Sequence, residues 1–157
     1  MSILLVVGLY DDIYDVDFKL KFLFQIIIAK ILIDSGFIID NFHGILGVYE
    51  LNRIFAQVFT AFIIVAIINS INFIDGVDGL AISVISVFII LFEFFSINQT
   101  EFQTISIIIL ASFIPLLYFN YRSKNKIFLG DSGSLFLGGI VSIYVLNILS
   151  SEYIIKK

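Results

Sequence analysis

Five apolar stretches, each closed by a short polar interruption, dominate this chain and constrain its fold more than any other feature. They run from Phe22 to Ile33 (continuing from Lys19 and stopping near Asp34), Ile54 to Ile68, Leu80 to Ile97, Phe102 to Phe119 and Leu135 to Leu149. A helix crossing the hydrocarbon core of a bilayer needs about 20 mainly apolar residues, so these read as membrane helices, some of them short for a full crossing. A sixth apolar run, Ile3 to Leu9, is too short to span and lacks the basic flank of a signal peptide. It reads as the end of a further helix. Composition agrees: 60% of the 157 residues are hydrophobic and 14% are charged, too little polar surface to wrap a water-soluble core. The expected fold is all-α, a polytopic membrane bundle of about five complete helices plus the end of another. The absence of cysteine removes disulfides, thiolate metal sites and thiol nucleophiles, and a net charge of −4 gives no general attraction to nucleic acid.

Alternation of the helices assigns each loop to a side. Lys19, Lys21, Arg122, Lys124 and Lys126 share one side, whereas the other holds Arg53 and the tail residues Lys156 and Lys157. Positive residues gather on the cytoplasmic side of membrane proteins, so the first side is expected to be cytoplasmic. Asp11, Asp12, Asp15, Asp75, Asp78 and Asp131, from three separate loops, fall on that same side. Carboxylates at the ends of apolar helices are expensive unless paired, hydrated or bound to a cation. Acids at helix starts are also common for dipole reasons, but that accounts for one aspartate at a time and not for three clusters on one face.

The second cluster, Asn69-Ser-Ile-Asn72-Phe-Ile-Asp75-Gly76-Val-Asp78-Gly79, carries amide and carboxylate oxygens at three-residue steps. If the preceding helix continues into it, the four side chains form one polar strip. Such hard oxygen ligands suit Mg²⁺, which keeps several waters and binds substrate phosphates. Gly76 and Gly79 would permit close backbone approach. The third cluster, Phe128-Leu-Gly130-Asp131-Ser132-Gly133-Ser134, precedes an apolar run, and Ser132 or Ser134 is a candidate cap. The first, Asp11-Asp12-Ile-Tyr-Asp15 with Lys19, Lys21 and Gln25, mixes acids with ammonium groups, as metal-assisted phosphoryl transfer requires.

Together the three segments resemble the polyprenyl-phosphate N-acetylhexosamine-1-phosphate transferases, the glycosyltransferase family 4 group that also contains the phospho-N-acetylmuramoyl-pentapeptide transferases. The motifs carrying the resemblance are Gly8-Leu-Tyr-Asp11-Asp12-Ile-Tyr-Asp15, Asn69-x-x-Asn72-x-x-Asp75-Gly-x-Asp78-Gly-Leu-Ala and Phe128-Leu-Gly-Asp131-Ser-Gly-Ser. Asp15 resembles the branch that uses UDP-N-acetylhexosamines. The resemblance implies transfer of an N-acetylhexosamine 1-phosphate from a UDP-sugar to undecaprenyl or another polyprenyl phosphate. UMP is released and a cell-envelope polysaccharide is begun. It further implies Mg²⁺, with Mn²⁺ as an alternative, held by Asn72 and Asp131. Asp11 and Asp12 match the pair discussed as catalytic. Asp75, Asp78, Phe128, Lys21 and Asn120 match substrate-binding positions, with Phe128 on the uracil ring and Asp78 contacting uracil. The implied location is the bacterial inner membrane with the site loops cytoplasmic. The implied partners are the UDP-sugar and the lipid phosphate, with no nucleic acid and room for a homodimer.

Family members have roughly ten membrane helices, about twice this length of chain. Residues 1–157 are therefore expected to form one transmembrane domain truncated at both ends, without the family's His-rich loop and inactive on its own. The match at Asn120 is weakened by a following segment that lacks the family's proline. His43 falls in the outer loop and reads as an ordinary loop residue. Lys30 and Asp34 are expected to pair near the outer boundary, Pro115 to kink its helix, and Glu93 to reach the interface. The alternatives are a non-catalytic membrane protein and, with less support, another aspartate-rich phosphotransferase or prenyltransferase. The latter class does not account for Asn69-x-x-Asn72.

Overall fold

The computed structural model describes residues 1–95, 102–121 and 126–150. Among these residues it is helical throughout: α1 (Ser2–Tyr14), α2 (Phe18–Asp34), α3 (Arg53–Ile74), α4 (Leu80–Phe95), α5 (Gln103–Asn120) and α6 (Gly130–Ser150), with one 3₁₀ turn at Ile45–Gly47. The all-α expectation holds. Three helices, α3, α5 and α6, are long and apolar enough to cross a membrane, and α4 is apolar but shorter at 16 residues. Five complete spans is therefore more than the described helices establish. The expected end of the third span at Ile97, and the basic residues Arg122, Lys124, Lys156 and Lys157, lie outside the described residues.

Local chemistry sets the helix ends. Asp17 caps α2 by accepting from the Lys19 N–H at 3.3 Å, and Asn52 caps α3 through the Ile54 N–H at 3.0 Å. Asp15 closes α1 in the left-handed region at φ 55°. The α1 helix is longer than its apolar run and carries Asp11 and Asp12 in its last turn rather than in a loop. Gly79, at φ +67°, turns the chain into α4; a Cβ there would collide with the Tyr121 ring and hydroxyl. Gly76 carries no such demand, since a Cβ would meet nothing closer than 3.9 Å. The α5 helix continues through Pro115.

Helix α6 is the centre of the bundle and packs most extensively on α1 and α3. Small residues let it approach both. Gly138 lies against the Ile68 backbone of α3, Gly139 under Leu4 of α1, and Gly8 of α1 against the Ser132 backbone. On one side, Leu4, Ile28, Ile64, Ile68, Leu135 and Leu146 form a core shared by α1, α2, α3 and α6. On the other, Ile71, Ile85, Ile89, Ile109, Phe113 and Val141 join α3 and α6 to the α4–α5 hairpin. The loop between α2 and α3 folds back on the bundle, where the Ile39 N–H donates to the buried Thr60 hydroxyl at 3.0 Å and Phe42 meets Phe59 edge-on. Lys30 pairs with Asp34 as expected.

Glu93, partly exposed near the end of α4, is tied to neighbouring helices. It accepts from the buried Ser106 hydroxyl of α5 at 2.5 Å, and Ser106 lies 2.8 Å from the Tyr144 hydroxyl of α6. Phe92 and Phe102 pack on the Tyr144 ring, each with centroids 4.8 Å away. A polar tie inside an aromatic shell thus joins three helices at the end of the bundle opposite the acidic clusters.

Candidate functional site

The last turn of α1, the end of α3 and the start of α6 meet at one end of the bundle. Their meeting is possible because α1 and α6 touch backbone to backbone at Gly8. Asp11, only 5% exposed, receives the Lys21 ammonium on Oδ2 at 2.7 Å and the Val16 N–H on Oδ1 at 2.7 Å. Burial opposes its ionisation. The neighbouring Asp131 carboxyl, hydrogen bonds from Lys21 and Val16 and the Lys21 charge outweigh that and hold its carboxyl below the usual carboxylate range. Lys21 also lies 3.7 Å from the Asp131 carboxylate, so one ammonium serves two acids.

Asn72 and Asp131 converge. The Asn72 amide donates to Asp131 Oδ1 and, at 2.8 Å, to the Ser134 hydroxyl. Ser134 is one turn beyond Asp131 on the same face of α6, and its partnership with Asn72 was visible in the sequence only as that spacing. The four members of the expected polar strip do not act as one ligand row. Asn69 exchanges two amide hydrogen bonds with the buried Gln25 of α2, at 2.7 and 3.2 Å. Asn72 turns to α6. Asp75 lies at the end of α3, near the backbone N–H groups of Leu129 and Gly130, which favour its charged form. Burial lifts the Asp75 carboxyl above the ordinary range, and the charges of Asp131 and Asp12 add to that against the two N–H donors. Asp78 lies beyond the helix and is paired with Lys126.

The serines do not cap α6 as expected. The Ser132 N–H is itself a donor, to Asp12. Asp12 is exposed, and its two oxygens accept from the N–H groups of Asp131 at 2.8 Å and Ser132 at 3.1 Å. Asn120 is 1% exposed and donates to the Ile127 carbonyl at 2.7 Å, which fixes the segment leading to Phe128; among the described residues its buried Oδ1 has no partner. The Phe128 ring is 42% exposed, two residues from the Lys126–Asp78 pair. Asp15 is exposed at the end of α1, away from these contacts.

Hard oxygen donors are what this arrangement offers a cation. Among the described residues no group of three or more histidine, cysteine, aspartate and glutamate side chains is arranged as a complete metal cage. Asp131 and Asn72 instead provide a partial set, with a second carboxylate, Asp11, joined to Asp131 through the Lys21 ammonium. Such a donor set fits Mg²⁺, which takes one or two protein carboxylates and completes its shell with water and phosphate.

The family model for glycosyl transferase family 4 matches residues 1–149 of the chain. A Bacillus subtilis (strain 168) protein named as a probable undecaprenyl-phosphate N-acetylglucosaminyl 1-phosphate transferase is 38% identical over 145 residues. That alignment covers 90% of this chain and 40% of the relative, so the chain spans two fifths of the length of the curated protein it matches. No solved structure gives a match.

Proposed function

Because the chain belongs to glycosyl transferase family 4, we propose that it carries the metal- and nucleotide-holding part of a sugar-phosphate transferase. The reaction moves N-acetylhexosamine 1-phosphate from a UDP-sugar to a polyprenyl phosphate and releases UMP. The name of the Bacillus relative supports undecaprenyl phosphate as acceptor and N-acetylglucosamine as sugar. The observation that carries the reading is the convergence of Asn72, Asp131, Lys21 and Asp11 from four different helices.

In this reading Asp131 and Asn72 hold Mg²⁺, Asn72 presenting its amide oxygen after a half-turn of its terminal torsion. The bound ion would neutralise charge on the phosphates that exchange partners. Asp11 aims the Lys21 ammonium at the same phosphates and keeps it from folding onto solvent. Phe128 offers a half-exposed ring on which uracil can stack, and Asp78, acceptor-only when ionised, takes the uracil N3–H once released from Lys126. Asn120 holds the backbone that carries Phe128. The setting is an integral membrane protein whose site faces the cytoplasm on the positive-inside argument.

The test is Mn²⁺-dependent binding of UDP to the chain in nanodiscs, measured by calorimetry. UDP should bind only with the cation, CDP at least about tenfold more weakly because cytosine lacks the N3–H, and neither in Asp131→Asn. Equal binding of UDP and CDP, or undiminished binding in Asp131→Asn, refutes the assignment. UDP-N-acetylglucosamine and undecaprenyl phosphate then test turnover in the same preparation. Release of UMP supports transfer, whereas binding without release leaves the chain a nucleotide-holding role alone.

A further inference from the structure

The start of α6 is capped from outside its own segment. Leu129 occupies its N-cap position, since the Leu129 carbonyl accepts the Gly133 N–H at 3.2 Å. Leucine has no side-chain oxygen for the orphan N–H groups of a first turn. Two of those groups nevertheless have an acceptor. Asp12, in α1, takes those of Asp131 and Ser132. One carboxylate from another helix therefore takes two consecutive backbone donors of the first turn, while Asp75 at the end of α3 lies where the Leu129 and Gly130 N–H groups favour its charge. Gly130 makes the row concave, with φ at +67°, and a Cβ there would press on the Asp12 carboxylate at 3.0 Å.

Asp131 is the residue that this arrangement immobilises. Its N–H is held by Asp12, while its side chain points to Asn72 and Lys21. We infer that Asp12 is a positioning residue, a carboxylate clamp that sets the Asp131 side chain in place and does not itself touch the reacting atoms. Both Asp12 oxygens are engaged by backbone donors, which gives this residue a route to the reaction through Asp131. The inference rests on the reading of Asp131 as the cation-holding group, and it assigns Asp12 a different task from that of a base acting on the lipid phosphate.

The experiment uses residues 1–157 in nanodiscs, with amide hydrogen exchange resolved at Asp131 and Ser132 and Mn²⁺ affinity followed by electron paramagnetic resonance. In Asp12→Ala both amides should exchange at least about tenfold faster. Mn²⁺ should bind about 10- to 100-fold more weakly, the usual cost of losing an outer partner of a metal ligand. Asp12→Asn keeps the shape and one acceptor oxygen, so it should lie between wild type and Asp12→Ala in both measurements; it also carries the test if the alanine variant fails to fold. Combining Asp12→Ala with Asp131→Asn should weaken Mn²⁺ no further than Asp131→Asn alone, because the clamp acts through that carboxylate. Unchanged exchange in Asp12→Ala would overturn the clamp. Faster exchange with unchanged Mn²⁺ affinity would reduce it to a structural cap. Protection of the two amides by inorganic phosphate in wild type, with weaker protection without it, would show that Asp12 only keeps the place of a substrate phosphate. A wild-type chain that binds no Mn²⁺ while its amides remain Asp12-dependent would overturn the cation reading of Asp131 and leave the cap standing.

Discussion

Asn72 is a neutral side chain standing between acids, and its neutrality is what the contact requires. Its amide gives one hydrogen bond to Asp131 and another to Ser134, tying α3 to α6 across 59 and 62 residues of sequence. Asn72→Asp keeps the shape, removes both donors and adds a charge beside Asp131 and Asp11. In EDTA the variant should be less stable than wild type by about 1–3 kcal/mol, the range for leaving buried polar partners unsatisfied. Mg²⁺ should restore much of the loss, because a ligand that binds only the folded form stabilises it by mass action. Thermal unfolding in detergent, with and without Mg²⁺, checks this; equal loss in both conditions would remove Asn72 from the cation's neighbourhood. At this scale the sequence was informative about chemistry and silent about pairing. The spacing of Asn69, Asn72, Asp75 and Asp78 announces a polar face, but it does not say which distant residues the members meet. Asn69 pairs with Gln25 of α2, Asn72 with Asp131 of α6 and Asp78 with Lys126, and none of these three partners is reached by a local repeat.

Helices were legible where apolar runs are long, because hydropathy alone sets the length of such an element in a bilayer. The start of α6 was less so. Its apolar run begins at Leu135, yet the helix begins at Gly130, since its first turn is polar and is held by donors meeting an acid from α1. The same limit applies to Glu93, whose distance from the expected boundary suggested escape to the interface. That distance did not reveal its partner: the Ser106 hydroxyl of α5 donates to it, and Ser106 in turn meets the Tyr144 hydroxyl of α6. Ser106→Ala should loosen the α4–α5 hairpin from α6 by about 0.6 kcal/mol, and by no more than about 1.7, the span measured for hydrogen bonds between membrane helices. Unfolding in a titration with dodecyl sulfate reads this, and Mn²⁺ affinity should stay at the wild-type value because the tie lies at the far end of the bundle. A fall in Mn²⁺ affinity would show that the two ends communicate.

At the scale of the whole molecule, α3 and α6 are common to both cores and pack on each other. The glycines of α6 therefore set distances that the site inherits. Gly138 rests on Ile68, and one turn further along each helix stand Ser134 and Asn72, already in contact. A Cβ at Gly138 would come within 2.8 Å of the Ile68 backbone, which cannot yield as a side chain end would. Gly138→Val should therefore part α3 from α6 and weaken Mn²⁺ binding by about tenfold or more without altering any residue of the site. Gly76→Ala, which meets open space, is the control and should bind as wild type does. Equal affinity in all three proteins would show that the site tolerates the separation. None of this closeness was readable from the glycines themselves, which mark where a backbone is able to approach but not which backbone arrives.

The clamp on α6 also has a history in time. Asp12 and the Asp131 N–H are 119 residues apart, and α6 is the last of the described helices to be made. At about 5–20 residues per second, a ribosome takes roughly 6 to 24 seconds to cover that interval. Throughout it Asp12 has no α6 donors to accept, and Asp131 does not yet exist. The first five helices must wait in or beside the membrane with that carboxylate in water. The arrival of α6 then supplies the missing donors, the missing carboxylate and a wall shared by both cores, completing a site whose Asp11–Lys21 pair is made by α1 and α2 alone.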